Sequence, residues 1–475
     1  MMRTTRLALL AAFVTATPVF AQQPSTVVAS SERDTVSKTA VKPASPEGTA
    51  AQADTQPTKK AQRLPRFIAP SAEIQYIRYA DQRGLNVFES PKIAGAEYTG
   101  MKISWGGAFA QQYQNLTHQN SAAPKLVAGV NANQLIAIGQ GFNNADANLF
   151  LNVQLARGIR VAVETYASAR HHQETWVKDG YFLIDGSPIE NKLLDKIMEV
   201  ATLKVGHFEV NYGDEHFRRS DNGQTIYNPF IGNFVIDAFT TEIGAEAYLR
   251  HSGYMAMLGI TGGEVHGQVT APGQRGPTYL VKVGVDKKPL DNVRVRLTGS
   301  MYKTDRSASN TLTSGDRGGS RYYDVLENSA STETANAWSG AIQSGMRDYV
   351  TAFVINPFVK VGGVELFGNV ETMTGAAITE LQRRTLRQLV GEGLYRFAGE
   401  KLYVGGRYNT VKGQLQGIAT DISVNRSQLG GGWFVTPNVL AKMEYVNQKY
   451  NDFPTTDIRN GGQFKGVMIE GVVSF

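Results

Sequence analysis

The chain contains sixteen strand-like segments from residue 100 onward, and the connections between them alternate in length. One set is short, at 157–158, 250–252, 287–290, 362, 399–400 and 436–437. The intervening set is mostly long, at 113–146, 211–238, 262–277, 304–347, 375–386, 414–423 and 450–463. A membrane β-barrel has tight turns at one end and long loops at the other, whereas a soluble β-sandwich has no such requirement. We therefore predict an all-β chain forming a transmembrane antiparallel β-barrel of about sixteen strands.

Most of the predicted strands have roughly the 9–11 residues that a tilted strand needs to cross a bilayer. Their spans are 100–112, 147–156, 159–170, 175–184, 200–210, 239–249, 253–261, 278–286, 291–303, 348–361, 363–374, 387–398, 401–413, 424–435, 438–449 and 464–475. Two connections depart from the alternation, since 171–174 is short and 185–199 is long. The long one carries an apolar face at Leu193, Leu194, Ile197 and Met198, which predicts a small helix.

Apolar and polar residues alternate along several of these strands. In 291–303, Val293 and Val295 share one face, while Arg294 and Arg296 share the other. The same pattern places Arg160, Arg396 and Arg407 on polar faces. An Arg facing lipid at mid-depth costs roughly 2–4 kcal/mol, so the polar faces must point inward and form the wall of a water-filled channel. The alternative is a soluble β protein with charged outer faces, in which the apolar faces would form a core.

The final segment, 464–475, ends on Phe475 and also alternates. Val467, Ile469 and Val473 lie on one face, and Glu470 lies on the other. A terminal Phe closing such a strand resembles the C-terminal signature of bacterial outer-membrane β-barrels. The resemblance implies that Phe475 is an assembly signal for the barrel-assembly machinery and that outer-membrane lipids surround the barrel. It also implies that the last strand ends at the periplasmic rim, which places the long loops outside.

The N-terminus carries a targeting signal. Arg3 and Arg6 precede an apolar run over 7–17, followed by a small-residue site for cleavage after Ala21. A signal peptide at 1–21 predicts export, and with the barrel it predicts the cell outer membrane of a Gram-negative bacterium. Residues 22–65 lack aromatic residues and predict a disordered periplasmic linker, or alternatively a docking tail for a periplasmic partner or the cell wall. Residues 66–99 are predicted to form a small periplasmic or plug element ahead of the barrel, 100–475.

Charge and composition exclude several classes of function. The formal net charge is +6, of which Arg3 and Arg6 contribute two and residues 22–65 a further two. The rest of the chain, residues 66–475, carries only +2 and is nearly balanced in charge. The basic pI therefore does not predict that the protein binds nucleic acids. The chain has no cysteine, which removes disulfides, thiolate metal sites and cysteine nucleophiles. No cofactor is predicted.

One local motif follows the fifth predicted strand. Leu203-Lys204-Val205-Gly206-His207-Phe208 is followed by Tyr212-Gly213-Asp214-Glu215. This order of strand, Gly, aromatic residue and then Gly-acid at the start of a loop resembles the phosphate-selective porin family. In sixteen-stranded general porins the loop at this position folds into the lumen, so the resemblance implies a pore constriction loop at 211–238. Five charged residues in the first part of this loop are predicted to form the constriction, and these are Asp214, Glu215, Arg218, Arg219 and Asp221.

The loop has residues suited to folding inside a barrel, with turns at Gly213, Gly223, Pro229 and Gly232 and anchors at Phe217, Ile226, Tyr227, Phe230 and Phe234. Its charges are predicted to face the pore-wall residues Arg160, Arg294, Arg296, Arg396 and Arg407 across the lumen and to create a transverse field. For each single residue, a solvated charge or a loop-stabilising salt bridge is the alternative.

These observations predict a porin, a channel for passive diffusion of small hydrophilic solutes or ions. Since the barrel is nearly neutral and has no dense basic ladder, we predict a weak preference for anionic solutes rather than phosphate selectivity. The resemblance also implies a homotrimer, because many porins are trimers.

Two other functions fit the same barrel. An adhesin or structural anchor would have a plugged lumen, in which the inward charges pair with one another. An outer-membrane barrel enzyme is the second alternative, although the chain has no Gly-x-Ser-x-Gly elbow. No metal site is predicted. His207 and His216 lie near acids, but His171 and His172 point to opposite faces of a strand and cannot chelate together.

Overall fold

The computed structural model describes residues 74–93, 96, 98–171, 174–263, 273, 275–307 and 309–475. The predicted signal peptide, the predicted linker and the first part of the 66–99 element lie outside the described residues. Within the described part, no helix has the length and apolar character needed to cross a membrane.

Sixteen strands form one closed antiparallel barrel in which each strand pairs with its neighbours in sequence, and the first pairs with the last. They are β1 (Lys102–Gln119), β2 (Gly141–Ala156), β3 (Ile159–Ser168), β4 (Thr175–Ile184), β5 (Ala201–Glu209), β6 (Thr241–His251), β7 (Tyr254–Thr261), β8 (Thr278–Leu290), β9 (Val293–Thr304), β10 (Tyr349–Val361), β11 (Val364–Ala376), β12 (Arg384–Phe397), β13 (Leu402–Gly413), β14 (Ile422–Thr436), β15 (Val439–Asn451) and β16 (Gln463–Ser474). The predicted fold class is confirmed.

The other elements of the described chain are short. One α-helix, α1, spans Lys192–Met198, where the sequence predicts a helix. Three 3₁₀ turns lie at Gln82–Gly84, Ala169–His171 and Glu215–Phe217, and a two-stranded ribbon joins Leu126–Val127 to Val130–Asn131. Asn191 caps α1 by accepting from the backbone N–H groups of Leu193 and Leu194.

The barrel has two unlike ends, here named the turn end and the loop end. Tight turns and Phe475 lie at the turn end, where the backbone of Phe475 exchanges two hydrogen bonds with Gly107 of β1. Gly158 makes the β2–β3 turn with φ +67°, and a Cβ there would lie 2.3 Å from the carbonyl oxygen of Gly186. Only glycine fits such a position, because L side chains rarely adopt this φ and no space is available.

The outer surface is apolar and the charged residues of the strands point inward, as the alternation predicts. In β16, Ile469 and Val473 are 45% and 42% exposed on the outside, whereas Glu470 is fully buried inside. Aromatic side chains are exposed near both ends, with Trp105, Tyr254, Tyr395 and Trp433 near the turn end and Phe142, Tyr279 and Phe353 near the loop end. An apolar band between aromatic girdles is the outer surface of a transmembrane barrel.

Two strands are longer than predicted. β1 continues to Gln119 rather than 112, and β2 begins at Gly141 rather than 147. The extra part of β1 exposes polar residues such as Asn115 and Thr117, yet it keeps pairing with β16 up to Gln119. The apolar alternation stops at the edge of the membrane, whereas the backbone hydrogen bonding continues past it. The pattern of polarity alone therefore underestimates the length of the strand. The other strands begin and end within four residues of their predicted spans.

Candidate functional site in the barrel lumen

The β5–β6 connection, residues 210–240, folds into the barrel and is almost entirely buried. Ile226 and Phe230 pack against an apolar patch on the inner wall, formed by Leu394, Tyr403, Phe434, Leu440 and Val472. Phe234 packs against a second patch formed by Phe88, Phe358, Phe367 and Val390. The inner wall is therefore not uniformly polar, and its apolar patches hold the inserted loop in place.

Polar side chains on the wall satisfy the backbone of the inserted loop. Lys442 donates to the carbonyl of Thr225 at 2.9 Å, and Glu444 accepts from the N–H of Ile231 at 2.7 Å. Gln388 both donates to and accepts from the backbone of Ile236, at 2.9 Å each way. Because a buried unpaired backbone group is costly, these contacts let an irregular segment lie inside a barrel.

Asp214 is the acid of the loop that contacts the wall most extensively. It is fully buried and accepts from Arg296 at 2.8 Å, from Thr298 at 2.9 Å and from Lys282 at 2.9 Å. Burial opposes ionisation, but Lys282 and Arg296 outweigh it and hold the pKa of Asp214 below its usual range. A predicted loop charge and a predicted wall charge thus meet in direct contact.

Arg218 and Arg219 are both buried, with different partners. Arg218 pairs with Glu392 of β12 at 2.6 Å and also donates to Asn86. Arg219 pairs with Asp237 at 2.5 Å, Asp316 at 3.0 Å and Asp221 at 3.2 Å. Burial would lower the pKa of Arg219, but Asp237 and Asp316 hold it well above its usual range. Arg219 therefore joins the inserted loop to itself and to the 305–348 connection.

The two remaining acids predicted for the constriction, Asp221 and Glu215, have different surroundings. Asp221 pairs with Lys178 of β4 and accepts from the hydroxyl of Tyr166. Lys178 also pairs with Glu209 at 3.0 Å and Glu164 at 3.7 Å. Glu215 accepts from the N–H of Phe234 at 3.3 Å, and burial, with Asp237 nearby, raises the pKa of Glu215 well above its usual range.

The five predicted pore-wall arginines lie on the inner face, and four of them pair with acids of the wall itself. These pairs are Arg294–Asp286 at 2.6 Å, Arg296–Asp286 at 3.3 Å, Arg396–Glu365 at 2.8 Å and Arg407–Glu392 at 2.8 Å. Arg160 has no carboxylate partner in the described chain and donates to Asn152 at 2.5 Å and to the carbonyl of Tyr76 at 3.3 Å.

The sequence predicts loop and wall charges that face one another across water, and the structure instead joins most of them directly. It also uses partners that the prediction did not name as site residues, which are Glu89, Lys178, Lys282, Glu392, Lys442 and Glu444. Five of these six lie on the inward faces of strands, so the alternation of polarity could have identified them. Their pairing depends on which strands the loop crosses.

The 305–348 connection fills the loop end of the lumen. Tyr322 donates to Glu444 at 2.7 Å, and Arg321 pairs with Asp146 at 2.5 Å. Arg426 on the wall donates to the carbonyl of Gly340 at 2.9 Å. The cavity between this connection and the inserted loop holds about 10 Å³, space for about one water.

The segment 74–93 occupies the lumen at the turn end. Glu89 pairs with Arg296 at 2.6 Å and Lys282 at 2.9 Å, and Phe88 packs edge-on against Phe217 and Phe358. Asn86 donates to Glu365 at 2.7 Å. The segment contacts both the wall and the underside of the inserted loop, so it stabilises the inserted position.

A cavity of about 690 Å³ remains beside the inserted loop. This turn-end chamber extends from the rim at Trp105, Asn438 and Phe475 to the ion pairs around Lys178. Its walls come from β1–β6, the segment 74–93 and the inserted loop. Among the described residues, no group of three or more His, Cys, Asp or Glu side chains is arranged to hold a metal ion.

The fold and the lumen define a sixteen-stranded transmembrane barrel with an inserted loop. No family model and no curated protein matches the chain, so the resemblance to phosphate-selective porins stays a prediction. Solved structures do match. An anion-selective porin from Comamonas acidovorans is 12% identical, over 79% of this chain and 100% of that one, with a TM-score of 0.48. The outer membrane channel DcaP of Acinetobacter baumannii is 10% identical over 81% and 100%, with a TM-score of 0.46. OprB of Pseudomonas putida is 10% identical over 78% and 94%, with a TM-score of 0.47.

Gly223 tests how closely the inserted loop approaches the wall. A Cβ at this position would lie 2.6 Å from the carbonyl oxygen of Ala108 and 2.8 Å from Cα of Ala147, and neither backbone can move away easily. We expect Gly223→Ala to destabilise the inserted position by about 1–3 kcal/mol, the usual cost of overpacking. Trypsin should then cleave faster after Arg218 or Arg219. Gly139→Ala is the control, because no atom lies within 4 Å of its added Cβ, and equal cleavage of the two variants would contradict the close approach.

Proposed function

We propose that the chain is an outer-membrane porin that lets small hydrophilic solutes or ions diffuse passively, with a weak preference for anions. The turn-end chamber is the observation that carries this proposal. It is a cavity of about 690 Å³ inside a transmembrane barrel, lined by charged groups and reaching the rim. A solvated, charged cavity of this size inside a barrel suits permeation better than simple packing does.

The path of a solute would follow the β2–β6 wall beside the inserted loop. Its narrowest point would be the cluster of Lys178 with Glu164, Glu209 and Asp221, where the chamber ends. Beyond it, the 305–348 connection covers the loop end, so passage requires this connection to move outward. Connections at the mouth of a barrel are the elements most able to do so, because they lack the ladder of strand hydrogen bonds.

The orientation follows from the resemblance of the C-terminus. The turn end would face the periplasm, Phe475 would act as the assembly signal, and the long loops would face outward. We also propose export through a signal peptide cleaved after Ala21, and assembly as a homotrimer with lipid around its outer band.

A plugged barrel acting as an anchor or adhesin is the second candidate, and a specific observation favours it. Most lumen charges are paired within the protein. The cavity between the inserted loop and the 305–348 connection has a volume of only about 10 Å³. A plug is expected to neutralise the inner face in this way. The two candidates differ in whether the filled loop end ever opens.

Single-channel recording in a planar bilayer distinguishes the candidates. For the refolded protein we expect discrete ohmic steps, and under a salt gradient a reversal potential whose sign indicates a slight excess of anion flow. Folding is checked independently by the heat-dependent shift in gel migration that closed barrels show. A folded barrel that carries no current at any voltage would contradict the porin and favour the anchor.

A further inference from the structure

The cations of the lumen fall into two groups that differ in their partners. Away from the turn-end chamber, most cations pair with a carboxylate at 2.5–2.9 Å, and these are Arg218, Lys282, Arg296, Arg321, Arg396, Arg407 and Lys442. Two others, Arg170 and Arg426, are held by main-chain carbonyls in tightly packed protein. The lumen therefore neutralises or encloses its positive charges almost everywhere.

The turn-end chamber is lined by Lys178 and Arg219, which are paired with carboxylates, and also by cations that are not. Arg78, Arg160 and Arg250 line it, and within the described chain none of the three has a carboxylate within the 4.0 Å of an ion pair. Lys204 lines it as well, and its nearest carboxylate, Glu246, is 3.8 Å away. Arg160 is buried, with 3% of its surface exposed, and its Nε has no hydrogen-bond partner among the described residues. Three positive charges thus border the cavity without a carboxylate in ion-pair contact, and a fourth, Lys204, has only a long ion pair.

Other groups keep these cations in position without neutralising them. Arg250 lies over the ring of Tyr76 at 4.5 Å, and Lys204 lies over Tyr181 at 4.7 Å. Arg250 also donates to the carbonyl of Ser90 at 2.7 Å. Carbonyls and aromatic faces attract a cation while leaving its net charge available, so the chamber combines fixed positive charges with aromatic surface.

The acids that line the chamber have partners of their own. Asp81 pairs with Arg83, Glu89 pairs with Lys282 and Arg296, and Asp179 accepts from the N–H of Glu209. Glu164, Glu209 and Asp221 gather around Lys178 at the inner end. Glu164 is four residues along β3 from Arg160, which corresponds to roughly 13 Å along a strand. An anion in the chamber would therefore be repelled from the inner end and attracted to the turn end.

We infer that the turn-end chamber binds a small organic anion in which a carboxylate is attached to a planar ring. Arg160, Lys204 and Arg250 would contact the carboxylate, and Tyr76 and Tyr181 would contact the ring. The volume of about 690 Å³ lies within the range of sites that hold small organic molecules. This inference deepens the proposed porin function by naming a class of solute that would pause in the pore.

Calorimetric titration of the detergent-solubilised protein with benzoate tests the site at equilibrium. We expect saturable binding of benzoate, with binding of acetate and of benzyl alcohol at least about tenfold weaker, since each lacks one of the two contacts. Binding of benzyl alcohol as tight as that of benzoate would overturn the role of the cations. Equally tight acetate would overturn the role of the ring.

Substitutions locate the binding. Arg160→Gln is expected to weaken benzoate binding by about tenfold, the usual loss for one hydrogen bond to a charged group. Arg250→Gln is a second variant in case Arg160→Gln does not fold, because Arg250 is only partly buried. Lys288→Gln makes the same change of charge on an exposed residue at the same end and should bind as the parent does. Equal affinity of all variants would overturn the site.

The two proposals fail in different ways. Benzoate binding without conductance would keep the site and reject the porin. Conductance with no saturable benzoate binding would keep the porin and reject the site.

Discussion

Arg219→Ala is expected to release the inserted loop from its position in the lumen and to raise the mean single-channel conductance. Arg219 is the shared partner of Asp237, Asp316 and Asp221. Its removal leaves Asp237 and Asp316 buried without their cation, whereas Asp221 keeps Lys178. Removing one partner of a buried ion pair costs about 3–5 kcal/mol, because the other charge stays buried without a partner. This cost is larger than the free energy that one other contact of the loop contributes. Planar-bilayer recording should show larger or more frequent openings than in the parent.

The effect of Arg219→Ala should depend on pH. Burial, opposed by Arg219, raises the pKa of Asp316 from 3.8 to about 6. Arg219→Ala removes a cation that lowers this pKa, so the pKa of Asp316 in the inserted state rises further in the variant. A raised pKa means that the inserted state binds a proton more tightly than the released state, so acid favours insertion and ionisation opposes it. We therefore expect the conductance of the variant to fall toward that of the parent as the pH is lowered from 7 to 5.

Two further variants control this prediction. Arg219→Lys keeps the charge, but a lysine ammonium lacks the planar fork of donors with which the guanidinium contacts three carboxylates. We therefore expect a conductance between those of the parent and of Arg219→Ala. Arg459→Ala removes a cation that pairs with Asp457 in the connection before β16, and it should leave the current unchanged. If Arg219→Ala forms a folded barrel with the conductance of the parent, these ion pairs do not hold the loop.

Removing the segment 74–93 is expected to open the turn end. A protein beginning at residue 98 would lose the contacts of Glu89 with Lys282 and Arg296 and of Phe88 with Phe217 and Phe358. The barrel from β1 onward keeps its complete set of strand pairs, so it should still fold. The chamber becomes wider at its mouth, and we expect the conductance to rise.

The absence of cysteine makes a direct test of this opening simple. Thr202 is buried, and its hydroxyl donates a hydrogen bond to the hydroxyl of Tyr76 at 2.6 Å. We expect a maleimide to label Thr202→Cys about tenfold faster in the shortened protein, which corresponds to about 1.4 kcal/mol of lost protection. A protein beginning at residue 67 keeps the segment and serves as the matched control. Equal labelling of the two proteins would show that the segment does not cover the chamber.

Most of the barrel could be predicted from the sequence because its pattern is local. In β9, Arg296 and Thr298 alternate with Val295 and Leu297, and a period of two can place these side chains only on opposite faces of a strand. The lipid then decides which face points outward, since it rejects charge. The positions of the tight turns set the number of strands in the same local way.

The candidate site was predicted less completely. The five charged residues of the loop and the five wall arginines lie in the lumen, but their partners could not be named. Asp214 meets Lys282 of β8 and Arg296 of β9, and Arg218 meets Glu392 of β12, and all three partners are far from the loop in sequence. The apolar inner patches, such as Phe434 with Leu440, also lie on strands whose inward faces were expected to be wetted.

The sequence by itself determined the closed barrel, the outward apolar band and the identity of the inward charges, because strand period and membrane polarity act residue by residue. Only the tertiary structure decided that the loop end of the lumen is filled and that a charged chamber remains at the turn end. The physical reason is that a loop inside a barrel chooses its path by satisfying buried charges and backbone groups on several distant strands at once. No local pattern in the chain encodes that choice.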